Sequence, residues 1–361
     1  MAHFLHNTLA GISQSGETLS FYSLNDGSLI HRHTDLIAEP HELAYDAKRQ
    51  SLYISHTYRH GHFWLHGDYS TEISVFSLTQ REIVDVIDVG PLKGPHGLRL
   101  VAEQDMLFAS VESGLELHGA DSGGVIGIDL AARSVVTQVA NGSKSHWFAV
   151  TSDARKAYTV NEVDPFLSVL DLGTSRMMKK IAVLGSEEAH ISIDGRFVFV
   201  PTPSMQVQSG GPPEEMGFIV IDTATDEIVK TVRTTHGVLS IHSTARDQIM
   251  VVQYQFEADS DAGNLKPKNG QLALYDATSF ELLGEVAIGK GPLELRSSVD
   301  GSVGFVANIL EGTVSVVDLD AMSVTMTVEV DVTRNASKRF HQGAHGMAAI
   351  PGRDIHIQRV N

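Results

Sequence analysis

One apolar strand pattern recurs along the chain and usually ends in Asp or Ser. It reads TLSFYSL (18–24), EISVFSL (72–78), GVIGIDL (124–130), FLSVLDL (166–172), GFIVIDT (217–223), QLALYDA (271–277) and TVSVVDL (313–319). Equivalent positions lie roughly 40 to 55 residues apart, the period of propeller blades. Each copy leads through a polar turn into a second alternating run, as in TDEIVKTV (225–232) and FELLGEVAI (280–288). A glycine-rich junction follows, then a strand such as HGLRLV (96–101), a turn and a further strand such as DGRFVFV (194–200). Strict alternation over short runs marks sheets packed face to face. Four strands in each of seven units predict an all-β, seven-bladed β-propeller with four-stranded antiparallel blades.

The two ends share one blade in this reading. HGMAAIPGRDIHIQRV (345–360) supplies its first two strands and NTLAGISQSGETLSFYSLNDGSLIHRHTDL (7–36) the rest, which closes the ring without a long open edge. The expectation is a single propeller domain over residues 1–361.

GPHGLRL (94–100), SHWFAVTSDARKAYTV (145–160), SIDGRFVFV (192–200) and SVDGSVGFVAN (298–308) resemble the blades of YVTN-type β-propeller repeats over nearly the whole chain. The resemblance implies a fold rather than a chemistry. Such propellers include surface-layer modules, cytochrome-like propellers and enzymes that form or cleave lactones, so fold likeness leaves function to be argued from the site.

Composition narrows the chemistry. Glycine (32) far outnumbers proline (11), and 42% of the 361 residues are hydrophobic, ample for a large core. The absence of cysteine removes disulfides and thiolate metal sites. The first residues, MAHFLHNTLAGIS, lack the basic and apolar regions of a signal peptide, and no apolar run reaches 18 residues. These features predict a cytoplasmic protein without a membrane partner. A net charge of −17 and the lack of a Lys/Arg cluster argue against nucleic acid. The expected partner is a small-molecule substrate, and nothing selects an oligomeric state.

The histidines supply candidate chemistry. His41 (EPHEL), His96 (GPHGL), His146 (KSHWF) and His345 (GAHGM) occupy one slot, where the innermost strand of a blade begins. They fall in the first, second, third and last blades, which are neighbours around the ring, and so predict an arc at one channel mouth. The other blades carry Ser186-Glu187-Glu188, Thr235-His236-Gly237 and Leu293-Glu294 there. Loops joining the second and third strands open on the same face. The first, SHTYRHGHFWLHGDYS (55–70), holds His56, Arg59 and His60, along with His62 and His66. The second offers Glu112, Glu116 and His118; VNEVDPF (160–166) offers Glu162 and Asp164; and 201–216 and 254–270 are long and polar. Long loops on one face of a rigid scaffold are where binding and catalysis concentrate.

Neutral imidazoles with carboxylates suit an open site for a divalent metal (Zn, Mn, Fe or Ni), or acid–base work near neutral pH. His41, His96, His146 and His345 are the candidate metal ligands. His56, His60, Arg59, Glu162 and Asp164 are the candidate catalytic groups, with Arg59 placed to grip a carboxylate. The competing reading is structural: a Pro-His-Gly at this slot can simply hydrogen-bond the next blade, and the 55–70 loop can be solvated. His190 and His242 lie deeper in innermost strands and are candidates for the channel wall; His31, His33 and His356 read as surface or structural residues. No G-x-S-x-G elbow, P-loop or H-E-x-x-H occurs, and Ser204 and Ser209 lack an evident base. The leading expectation is an enzyme of lactone-hydrolase, lyase or isomerase type acting on a polar or carbonyl-bearing molecule. The alternative is a non-enzymatic scaffold for a protein or ligand, with Phe63, Trp64 and Tyr69 in its binding patch.

Overall fold

The computed structural model describes residues 7–60, 67–161, 164–204, 216–258, 265–331 and 342–351. Seven four-stranded antiparallel sheets stand around one axis with almost no helix, a seven-bladed β-propeller. Blade 1 runs outward through Pro40–Asp46, Ser51–His56, Glu72–Ser77 and Glu82–Asp88. Blades 2 to 6 begin with the innermost strands Lys93–Val101, Phe148–Val150, His190–Ile191, Gly237–Ser243 and Pro292–Ser297.

Blade 7 closes the ring, with a different division from the one expected. Its innermost strand is Met347–Ile350, while Thr8–Ser13, Thr18–Ser23 and Leu29–His33 supply the other three. The split is therefore one strand from the C-terminal side and three from the N-terminal side. TLAGIS takes the second position: it is buried throughout and pairs with Met347–Ile350 on one side and Thr18–Ser23 on the other. The strand expected from 354–360 lies outside the described residues.

The recurrent Asp has a local task. Asp129, Asp171, Asp222, Asp276 and Asp318 accept backbone N–H groups two or three residues on, capping the turn into the outermost strand. Ser77 and Ser23 do the same in blades 1 and 7. Short side chains that bond their own backbone favour such turns. The Ser-x-Asp turn between the first two strands works similarly: Ser192 Oγ donates to Asp194 and accepts from Phe197 N, and Ser298 repeats this with Asp300 and Val303.

Seven hydrophobic clusters fill the gaps between adjacent blades. Blade 1 meets blade 2 through Tyr53, Ile73, Leu107 and Ile126, and blade 7 meets blade 1 through Phe21, Leu52 and Phe76. Near the axis the seams become polar. Gly346 N donates to His41 O at 2.9 Å, and a Cβ on Gly346 would sit 2.5 Å from that oxygen, so this approach demands glycine. Ser55 Oγ accepts from Glu42 N (3.1 Å) and donates to His96 O (2.7 Å), tying blade 1 to blade 2.

Replacing Ser55 by Ala removes both bonds in a fully buried seam. Stranding buried backbone groups costs about 1–3 kcal/mol. Urea unfolding of Ser55→Ala is therefore expected at a lower midpoint with an unchanged m-value, and an unchanged midpoint would refute the seam role.

Candidate functional site

The top mouth of the channel is where the innermost strands begin. His41 and His96 lie near the starts of Pro40–Asp46 and Lys93–Val101, and His146 and His345 two residues ahead of Phe148–Val150 and Met347–Ile350. The four rings form a continuous arc in the order His345, His41, His96, His146, with successive centroids 4.1, 4.0 and 3.6 Å apart. All four are buried, at 3, 4, 0 and 7% exposure. Ligand nitrogens of His41, His96 and His146 lie within 4.8 Å of one another, and His345 forms a second such group with Glu42 and Glu294.

Burial, aided by neighbouring imidazoles, holds His41 and His96 well below the ordinary histidine range. Burial likewise brings His345 down to about 4, although Glu42 pulls the other way. These rings therefore carry lone pairs rather than charge at neutral pH. Gln14 Nε2 donates to Glu39 Oε2 at 2.7 Å and lies 3.0 Å from His41 Nδ1, which fixes that ring's orientation. Among the described residues, neither ring nitrogen of His96 has a hydrogen-bond partner. Buried polar atoms are normally satisfied, so a histidine with both nitrogens unsatisfied between two imidazoles has the chemistry of a ligand. Zinc holds nitrogens at about 2.0–2.1 Å, which sets them about 3.4 Å apart in tetrahedral geometry.

Beneath the arc lies a charged layer that reading the repeats one slot at a time missed. Glu42, Glu188 and Glu294 meet Arg99 and Arg296 across the axis. Arg99 Nη2 donates to Glu188 at 2.9 Å, Arg296 pairs closely with Glu294, and Trp147 Nε1 donates to Glu42 at 3.0 Å. Burial raises the carboxyl of Glu294 well above its usual range against the pull of Arg296, with Glu42 and Glu188 adding to the rise. Burial also works on Glu42, but His345, Arg296 and Trp147 outweigh it and keep its carboxyl low. The layer thus sets two guanidinium groups against three buried carboxyl groups, and burial raises Glu188 as well as Glu294. Glu188 and Glu294 stood in the slots that lack histidine, which was the available signal.

The expected catalytic groups part company. His56 is buried inside blade 1 with Nε2 2.8 Å from Ser74 Oγ and Nδ1 3.3 Å from Ala38 O, so both nitrogens are engaged in structure. Arg59 pairs with Glu72 at 2.8 Å and His60 lies 3.8 Å from Asp68, both at the surface. Among the described residues no contact joins either to the arc, since the chain turns outward after Tyr58. Asp164 accepts from Ser143 Oγ, and Glu162 lies outside the described residues, as do His62 and His66. Tyr58 is the residue of that loop segment that does reach the site. It is fully buried, edge-on to His41 at 6.4 Å, and donates to Glu112 Oε1 at 2.6 Å; Lys144 pairs with the other Glu112 oxygen.

No family model matches the sequence, and the search of curated proteins gives no match. Solved structures show the fold. The periplasmic gluconolactonase of Pseudomonas aeruginosa superposes with a TM-score of 0.67 at 14% identity, covering 96% of this chain and 99% of that one. Hydrazine synthase of Kuenenia stuttgartiensis superposes with a TM-score of 0.61 at 12% identity, covering 78% and 77%. At these identities the likeness is one of architecture, and the YVTN resemblance rests on the blade motifs.

The depressed histidines make stability depend on pH. Burial holds His56 at about 4 and His190 at about 3 in the folded chain, whereas unfolded imidazoles titrate near 6.5. Between those values the unfolded state binds more protons, so stability falls as pH drops below 6.5. Urea unfolding of metal-free protein from pH 7.5 to 4.5 should show this decline. His56→Gln should flatten it, and an identical slope in that variant would contradict the assignment.

Proposed function

We propose that this propeller binds a divalent transition metal at the top mouth through His41, His96 and His146, and uses it on a small polar or carbonyl-bearing molecule. The carrying observation is three buried imidazoles from three blades with their ligand atoms within 4.8 Å. Imidazole donors suit zinc, nickel or iron better than oxygen-seeking ions, and the absence of cysteine leaves nitrogen and oxygen ligands alone. Three protein ligands leave one position for water or substrate, and a bound metal there supplies an activated water and polarises a carbonyl. His345 borders the site beside Glu42. The fold likeness to a gluconolactonase makes sugar lactones the first substrates to try.

A second reading has its own support. All four imidazoles are at most 7% exposed, and a deeply enclosed set of nitrogen ligands fits a protein that holds or carries the metal rather than turning substrate over.

Metal analysis of protein prepared without chelator, followed by zinc titration, should give about one tightly bound ion, as a closed set of imidazoles requires. His41→Ala, His96→Ala and His146→Ala should each weaken binding by more than about tenfold, in line with loss of a ligand. Unchanged zinc affinity in all three would overturn the proposal. Chelator-sensitive lactone hydrolysis that is lost in His96→Ala would support the catalytic reading; tight zinc binding without hydrolysis would support the carrier reading.

A further inference from the structure

We propose that the opposite end of the channel is a second ligand site, which takes a compact organic carboxylate with an apolar body. A cavity of about 250 Å³ lies there, lined by Arg99, Arg296, His190, His242, Leu98 and Met347 among others. Its residues follow the top-mouth histidines by two to four positions (Leu43 to Tyr45 after His41, Leu98 to Leu100 after His96). At about 3.3 Å per residue that is roughly 7–13 Å further down the strands, on the far side of the carboxylate–guanidinium layer.

The layer is polarised towards this cavity. Side-chain exposure is 18% for both Arg99 and Arg296 but only 1–3% for Glu42, Glu188 and Glu294. The carboxylates therefore sit behind, and the cations form the accessible side. Each guanidinium is also held by the carbonyl preceding it, Arg99 Nη1 to Leu98 O at 2.9 Å and Arg296 Nη1 to Leu295 O at 2.7 Å. Two guanidinium groups fixed from behind need no reordering to bind an anion, and their planar forks match a carboxylate.

Two imidazoles complete the polar half. The rings of His190 and His242 lie 4.4 Å apart with their planes tilted by 53°, and His242 Nε2 lies 3.1 Å from Ser297 Oγ while its buried Nδ1 has no hydrogen-bond partner among the described residues. Burial keeps both rings neutral, so they offer hydrogen bonds rather than charge. Blades 1 and 7 supply the other half with Leu43, Ala44, Met347 and Ala348. One half is cationic and the other apolar, and the volume falls below the roughly 300 Å³ at which ligand pockets usually begin. The occupant is accordingly small, with a carboxylate at one end and a hydrocarbon body at the other.

The test is calorimetric titration of chelator-treated protein with benzoate, acetate and benzyl alcohol. Benzoate should bind saturably at one site, with acetate (no apolar body) and benzyl alcohol (no charge) each at least about tenfold weaker, as loss of one recognition element implies. Arg99→Gln should weaken benzoate by at least about tenfold as well. Because that change strands Glu188, Ala349→Leu serves as the second variant: it fills the cavity, removes no charge and should also weaken benzoate by at least about tenfold. His96→Ala should bind benzoate as the wild type does. No saturable binding, equal binding of all three probes, or binding that survives Ala349→Leu and disappears in His96→Ala would overturn the proposal.

Discussion

Seven strands converging on one axis is the constraint from which the rest follows. Near the axis the innermost strands come so close that side chains cannot avoid one another, and the gaps are too narrow for solvent to screen them. Gly346 is required because the neighbouring blade's carbonyl occupies the place of a side chain. Ser55 binds the amide of its own blade and the carbonyl of the next, so the polar seam is satisfied without water. Four imidazoles from four blades are then forced into contact at 3.6 to 4.1 Å.

Crowding sets the electrostatics. Away from water, desolvation keeps His41, His96 and His345 neutral and leaves their lone pairs available. One layer down, the buried carboxyl groups are tolerable because Arg99 and Arg296 meet them. The axis thus reads as a column: imidazoles at the top, a layer of carboxyl and guanidinium groups below them, and the partly exposed side of the guanidinium groups beneath. The two proposed ligands differ in charge accordingly, a cation above and an anion below. The ionic layer separates the two ends, and Glu42 touches both through His345 and Arg296.

Much of this was legible in the chain. The period of the apolar strands and the turn-forming Asp or Ser at their ends specify the blades, because both are local demands: alternation suits a sheet with two packed faces, and a short polar side chain caps a tight turn. The histidine slot was also visible, since a repeat places equivalent residues equivalently about the axis. The division of blade 7 was less so, because two apolar runs competed for its second position and only pairing with Met347–Ile350 selects TLAGIS.

The sequence by itself determined the blade count, the turns and the common slot of His41, His96, His146 and His345, since these follow from local pattern and repetition. Only the tertiary structure decided which polar groups share a partner. His56 lies only two and three residues before Tyr58 and Arg59, yet its strand buries it against Ser74, Tyr58 continues inward to His41, and Arg59 turns out to Glu72. Arg99 and Glu188 are 89 residues apart and meet across the axis. Such pairings arise from closure of the ring, which sums seven small rotations between blades, and no single repeat carries that information.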